Sequence, residues 1–156
     1  MSVLAAIRPD DWNFPLLLHV LGAMLLVGGL LAAVTSLWLG WRVDALTLPR
    51  LGFRSLLLVA FPAWWLMRIA AEWTASKEGF SGEEEGPAWL GIGYITAEGG
   101  GLLILISIIL TGLGVRRMRQ AEPPRASVLV RIGTVLVTIV LAAYVVAVWA
   151  MTAKPD

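Results

Sequence analysis

Four ionisable residues lie inside long apolar stretches of the chain and are its candidates for chemistry: His19, Arg68, Glu72 and Glu98. An ionisable side chain is costly within a lipid bilayer, so such residues mark binding sites, proton relays or structural ion pairs. An imidazole or a carboxylate can bind a cation or exchange a proton, and a guanidinium can neutralise a carboxylate. Together with Tyr94, one turn before Glu98, these residues form a candidate ligand site, cation site or proton relay.

The spacing of Arg68 and Glu72 predicts an ion pair. Residues four positions apart share one face of a helix, and Trp64 and Trp65 lie on the preceding turn. Two interpretations stay open. The pair either belongs to a binding site, or it is structural and its side chains reach toward the outer lipid headgroups.

His19 and Glu98 are expected to point into a helix bundle. The face of His19 continues through small residues such as Gly22, Ala23 and Gly29, which suit close helix packing. Glu98 directly precedes Gly99, Gly100 and Gly101, where a neighbouring helix can approach closely or the helix can loosen. Glu98 either borders a ligand cavity or is a buried carboxylate, protonated or paired with Arg68 or His19.

Three classes of function fit these residues. In the first, His19, Glu98 and Met24 ligate a transition metal, or His19 ligates haem, which would need a second histidine from another copy of the chain. In the second, His19 and Glu98 are titrating groups of a proton or small-ion pathway. In the third, the polar residues only hold together an accessory or scaffold subunit of a membrane complex.

The elements that must position these residues are four apolar runs, at about 14–41, 53–73, 89–115 and 128–151. Each is long enough to cross the roughly 30 Å hydrocarbon core of a bilayer as a helix. Hydrophobic residues form 58% of the 156 residues and charged residues only 15%, which is far from the balance of soluble domains. We therefore expect a single all-α domain over 1–156, a polytopic membrane protein with four transmembrane helices in an up-down bundle.

The arginine distribution predicts the orientation. The polar segments between successive apolar runs are called breaks here. Of the 12 lysines and arginines, eight flank the first break, between runs one and two, and the third, between runs three and four. The segments 42–54 and 116–131 should therefore face the cytoplasm. Both termini and the acidic segment 74–88, which contains Glu83, Glu84 and Glu85, should then lie outside. This orientation places all four intramembrane ionisable residues in the outer half of the membrane.

Several functions lack the residues they need. The formal net charge of +1 gives no basis for nucleic-acid binding, and the absence of cysteine excludes disulfides, iron-sulfur clusters and thiol catalysis. The sequence contains no phosphate-binding loop, HExxH motif or GxSxG motif. Enzyme activity is therefore the less favoured interpretation, and the expected partners are the lipid bilayer and either a second copy of the chain or another membrane subunit.

Two segments carry a resemblance to a known family. Leu18 to Met24 (LHVLGAM), followed by Gly28-Gly29, and Pro62 to Arg68 (PAWWLMR) resemble uncharacterised bacterial four-helix integral membrane proteins and, more distantly, the copper-resistance D family. That family generally has more spans and more potential ligands than this chain. The resemblance implies His19 and Met24 as candidate metal ligands and implies nothing for Glu98 or Arg68.

Overall fold

The computed structural model describes residues 13–43, 46–78, 88–121 and 127–153, which are almost entirely helical and contain no β-strand. Helix α1 covers Asn13–Val43 and α2 covers Thr47–Ser55. A π-helical turn at Leu56–Ala60 joins α2 directly to α3, Phe61–Glu78. Helices α4 and α5 cover Ala88–Gln120 and Val128–Ala153. The all-helical prediction is confirmed for the described residues.

Four helical segments are long and apolar enough to cross a membrane, as the sequence predicts. They are Asn13–Val43, Thr47–Lys77, Trp89–Gln120 and Val128–Ala153. Large apolar side chains also cover the outside of the bundle, including Leu17, Leu58 and Ile95, which are 61%, 66% and 76% exposed. A soluble protein would not present so continuous an apolar exterior, so this surface fits a lipid environment.

The first break is shorter than the sequence suggests. The second apolar run is expected to begin at about 53, yet α2 begins at Thr47 and contains Pro49 in its first turn. Proline is tolerated there because the first backbone N–H groups of a helix have no intrahelical acceptor. The arginines of 116–119 likewise lie on the last turns of α4.

Small residues bring α1 against the 47–78 helix. The predicted stripe is confirmed, since Gly22, Gly29 and Ala33 are buried in α1. A Cβ at Gly22 would lie 2.7 Å from the backbone nitrogen of Met67, and one at Gly29 would lie 3.0 Å from that of Ala60. The two helices therefore meet almost backbone to backbone.

Further contacts join α5 to α4 and to α1. Gly114 of α4 leaves space for Val130, since a Cβ there would lie 2.9 Å from the Val130 backbone nitrogen. Trp38 Nε1 donates to Thr138 Oγ1 over 3.1 Å, linking α1 to α5. The core between the helices is apolar, with fully buried Leu30, Ile104 and Val137.

Candidate functional site

Arg68 bridges two carboxylates that come from different helices. Its Nε and Nη2 atoms donate to Glu98 Oε1 over 2.9 and 2.7 Å, and its Nη1 atom donates to Glu72 Oε1. The ion pair expected from the four-residue spacing is present, and Glu98 joins it from α4. Because all three contacts use one guanidinium, Arg68 ties α3 to α4.

The Arg68 cluster, meaning Arg68, Glu72, Glu98 and Tyr94, carries one cation and two carboxylates. With both carboxylates ionised, its net charge is −1. The side chain of Arg68 is 20% exposed, whereas those of Glu72 and Glu98 are 53% and 62% exposed. The cluster therefore opens onto the outer surface of the bundle, and the expectation that Glu98 points into the core is not met.

Tyr94 covers the guanidinium. The centroid of its ring lies 5.3 Å from Arg68 Cζ, a cation–π distance. Tyr94 reaches this position because it precedes Glu98 by four residues on α4 and shares its face. The Tyr94 ring covers one face of the guanidinium group of Arg68, and the two carboxylates accept from the N–H groups along the edge of that guanidinium.

Two glycines of α4 next to Glu98 admit aromatic side chains from two other helices, whereas a Cβ at Gly99 would meet nothing within 4 Å. A Cβ at Gly100 would lie 2.8 Å from the Tyr144 hydroxyl, and one at Gly101 would lie 2.3 Å from the ring of Trp64. Trp64 Nε1 donates to the carbonyl oxygen of Ala97 over 2.8 Å. Helix α4 is unbroken here, so the glycines do not loosen the helix, and the space at Gly100 and Gly101 is filled by side chains rather than by the backbone of a neighbouring helix.

Tyr144 is a polar residue of this region that sequence reasoning missed. It is 4% exposed, and its hydroxyl has no hydrogen-bond partner among the described residues. The sequence placed it in an apolar helix assigned to packing. The available signal was its chemistry, because it is the one tyrosine of the 26-residue helix α5 and a buried phenol hydroxyl normally has a partner.

His19 belongs to a separate contact. Its Nδ1 atom lies 3.2 Å from the carbonyl oxygen of Met67. A carbonyl only accepts, so Nδ1 is the donor, and in the neutral imidazole Nε2 keeps its lone pair. No hydrogen bond or ion pair joins His19 to Glu72 or Glu98 in the described part of the chain.

The predicted metal ligands do not form a ligand shell. Within the ranges that the structure describes, no group of three or more His, Cys, Asp or Glu residues could hold a metal ion. Met24 is 68% exposed on α1, whereas His19 is partly buried against α3. Any metal at His19 would therefore need ligands from outside the described residues or from another molecule.

Some predicted features lie outside the described residues. These include the acidic run Glu83, Glu84 and Glu85 between α3 and α4. Of the predicted outer segment 74–88, residues 74–78 form the last turn of α3.

Comparisons with known proteins do not place the chain in a family. No protein-family model matches it, and neither the curated proteins nor the solved structures yield a match. The resemblance to the copper-resistance D family stays a prediction, and function must be argued from the site itself.

Proposed function

We propose that the four membrane-length helices form an up-down bundle with both termini on the non-cytoplasmic side. Contacts along α1 support opposite helix directions, because early Gly22 meets late Met67 while late Gly40 meets early Pro49. Eight arginines flank the first and third breaks, and positive residues favour the cytoplasmic side. The Arg68 cluster then lies in the outer half of the membrane.

We further propose that the Arg68 cluster binds a small monovalent cation. The observation that carries this proposal is the sharing of one guanidinium between two carboxylates. The shared Arg68 compensates one negative charge and leaves the other unbalanced. Near apolar surface an unbalanced charge is costly, so a bound cation or a proton stabilises the cluster.

The ligands for such a cation would be oxygens of Glu72 and Glu98. Both carboxylates present exposed surface, and each accepts from Arg68 through Oε1. Carboxylate oxygens suit hard cations such as Na⁺ and K⁺. Because Arg68 occupies the position between them, a monovalent ion fits the charge balance better than a divalent one.

A thermal unfolding series tests the cation proposal. We expect the purified protein to unfold at a higher temperature in NaCl or KCl than in N-methylglucamine chloride of equal ionic strength. A cation concentration one hundred times the Kd of the site adds about 2.7 kcal/mol to the free energy of unfolding. Glu98→Gln should remove the difference because it neutralises the excess charge.

Glu122→Gln is the matched control, since it makes the same chemical change in the third break of the chain. It should retain the full difference between salts. Identical unfolding temperatures of the unmodified protein in all three salts, or equal losses in both variants, would contradict cation binding at the cluster.

A second candidate function is ligation of haem or a transition metal by His19, because its hydrogen bond to Met67 fixes the orientation of the imidazole ring. Histidines that bind metals commonly donate their other ring nitrogen to a carbonyl or carboxylate, as Nδ1 does to Met67. We propose that a second copy of the chain would supply the further ligand, in keeping with the expected self-association. The resemblance to the copper-resistance D family points to the same residue.

Metal content and a visible spectrum of the purified protein test this second function. We expect a Soret band or a stoichiometric metal that is lost in His19→Ala. Met118→Leu serves as control, because Met118 lies near the arginine-rich end of α4, is not a candidate ligand, and is exchanged for a residue of similar volume. A colourless, metal-free protein would count against the proposal.

Ion or proton conduction is less well supported than binding. The buried hydroxyls of Ser107, Thr111 and Thr134 each donate to a carbonyl of their own helix, over 2.7 Å. Such bonds satisfy each donor locally. They provide no directed chain of hydrogen bonds from the cluster to the arginine-rich end.

A further inference from the structure

A basic cavity lies at the arginine-rich end of the bundle, between α2 and the last turns of α4. Its volume is about 320 Å³, and its walls are Arg50, Phe53, Arg54, Val115 and Arg119. Arg54 and Arg68 are 14 residues apart along one continuous helical segment, which corresponds to roughly 20 Å. The cavity is therefore distinct from the Arg68 cluster.

Three of the five residues that line this cavity are arginines. Arg68 pairs with Glu72 and Glu98, whereas in the part of the chain that the structure describes no salt bridge joins a carboxylate to Arg50, Arg54 or Arg119. Arg50 and Arg54 are also four residues apart on α2. Like charges at this spacing repel each other, and Arg119 adds a third positive charge from α4. An anion between them would relieve this repulsion.

The other two walls are apolar. Phe53 packs beside Gly112, where a Cβ would lie 2.9 Å from its ring, so α4 fixes the position of the ring. Val115 lies one turn before Arg119 on the same helix. The cavity thus has three arginines next to an apolar wall, and its volume of about 320 Å³ is within the range of small-ligand sites. A phosphate group attached to an apolar body matches both kinds of wall.

We propose that this cavity binds a phosphate group, supplied either by the headgroup of an anionic phospholipid or by a free phosphate. Arginine binds phosphate through paired N–H donors, and basic pockets between transmembrane helices suit anionic headgroups. The cavity lies at the end of two membrane-length helices, the level at which headgroups are found. Nothing in this proposal depends on cation binding at the Arg68 cluster.

The test uses the full chain in lipid nanodiscs. We expect nanodiscs containing phosphatidylglycerol to raise the unfolding temperature relative to nanodiscs of pure phosphatidylcholine, and native mass spectra to show retained phosphatidylglycerol. The double variant Arg54→Gln/Arg119→Gln should weaken phosphatidylglycerol binding by about tenfold or more, since charge-assisted hydrogen bonds are lost from two arginines.

The matched control is Arg116→Gln/Arg117→Gln. It removes the same charge from the same end of the bundle, and neither residue lines the cavity, so it should keep most of the affinity. Arg54→Lys keeps the positive charge but loses the paired N–H donors of the guanidinium, so its affinity for phosphatidylglycerol should be intermediate. Equal losses in the two double variants would show a diffuse surface charge effect and overturn the site.

A second arm separates the two sources of phosphate. Inorganic phosphate is added to the protein in phosphatidylcholine nanodiscs, with chloride at equal ionic strength as reference. Stabilisation by phosphate that Arg54→Gln/Arg119→Gln abolishes assigns the site to a free phosphate, whereas stabilisation by phosphatidylglycerol alone assigns it to a lipid. Absence of both effects overturns the proposal.

Discussion

Gly22→Ala is expected to destabilise the protein by about 1–3 kcal/mol, the usual cost of overpacking a well-packed interior. The new Cβ would lie 2.7 Å from Met67 N and 2.8 Å from Met67 Cα. These are backbone atoms of α3, which cannot move aside as a flexible side chain could, so α1 and α3 must separate. Unfolding in a mixed-micelle denaturation series measures the loss.

Gly28→Ala is the control for this prediction. It makes the same substitution in the same helix, where a Cβ would meet nothing within 4 Å. Alanine favours the helix over glycine by roughly 0.5–1 kcal/mol, so Gly28→Ala should leave stability unchanged or slightly increased. If both variants lose equal stability, the close contact at Gly22 does not hold α1 to α3.

The contact at Gly22 also affects the candidate ligand His19, which lies three residues earlier on α1. The hydrogen bond from His19 Nδ1 ends on the carbonyl of Met67, the residue against which Gly22 packs. Any separation of the helices at Gly22 therefore lengthens this bond and frees the imidazole to rotate. A cofactor at His19 should be weakened by Gly22→Ala and retained in Gly28→Ala.

Much of the fold follows from local sequence properties. Long apolar runs require helices in a bilayer because every backbone polar group must be satisfied internally, and the four membrane-length helices appear where the runs were predicted. The stripe containing Gly22 and Gly29 likewise predicted the packed face of α1. The start of α2 at Thr47 does not follow from hydropathy, because Pro49 and Arg50 interrupt the apolar pattern, although a proline in a first turn is compatible with a helix.

The candidate site was only partly predictable. Arg68 and Glu72 lie on one helix, so their spacing alone places them together. The choice of Arg68 rather than His19 as the partner of Glu98 depends on which face of α4 meets α3, and that is a property of packing between distant segments. The position of Tyr144 against Gly100 depends on the register of α5, which no local pattern specifies.

Arg68→Met should destabilise the protein by about 2 kcal/mol, because it leaves Glu72 and Glu98 without their shared cation. Removing one partner of a fully buried pair costs more, about 3–5 kcal/mol. The smaller value follows from the exposure of the two carboxylates, 53% and 62%, since side chains on the surface of the bundle can reach toward the outer headgroups and lower the cost of an uncompensated charge. Denaturation in mixed micelles measures the loss. The stability of Arg68→Lys should lie between those of the unmodified protein and Arg68→Met, because an ammonium keeps the charge but lacks the guanidinium fork.

Neutralising the carboxylates should rescue this loss. In the triple variant Arg68→Met/Glu72→Gln/Glu98→Gln no charge remains uncompensated, so most of the lost stability should return. A triple variant as unstable as Arg68→Met would instead assign the loss to packing of the Arg68 side chain beneath Tyr94. Coupling between the substitutions is expected in either case, since the residues are in direct contact.

The same variant links stability to the proposed cation site. Arg68→Met changes the net charge of the cluster from −1 to −2, so stabilisation by NaCl over N-methylglucamine chloride should grow rather than disappear. The triple variant, with an uncharged cluster, should show no difference between the salts. If Arg68→Met responds to Na⁺ no more than the unmodified protein does, the excess negative charge of Glu72 and Glu98 is not what attracts the cation.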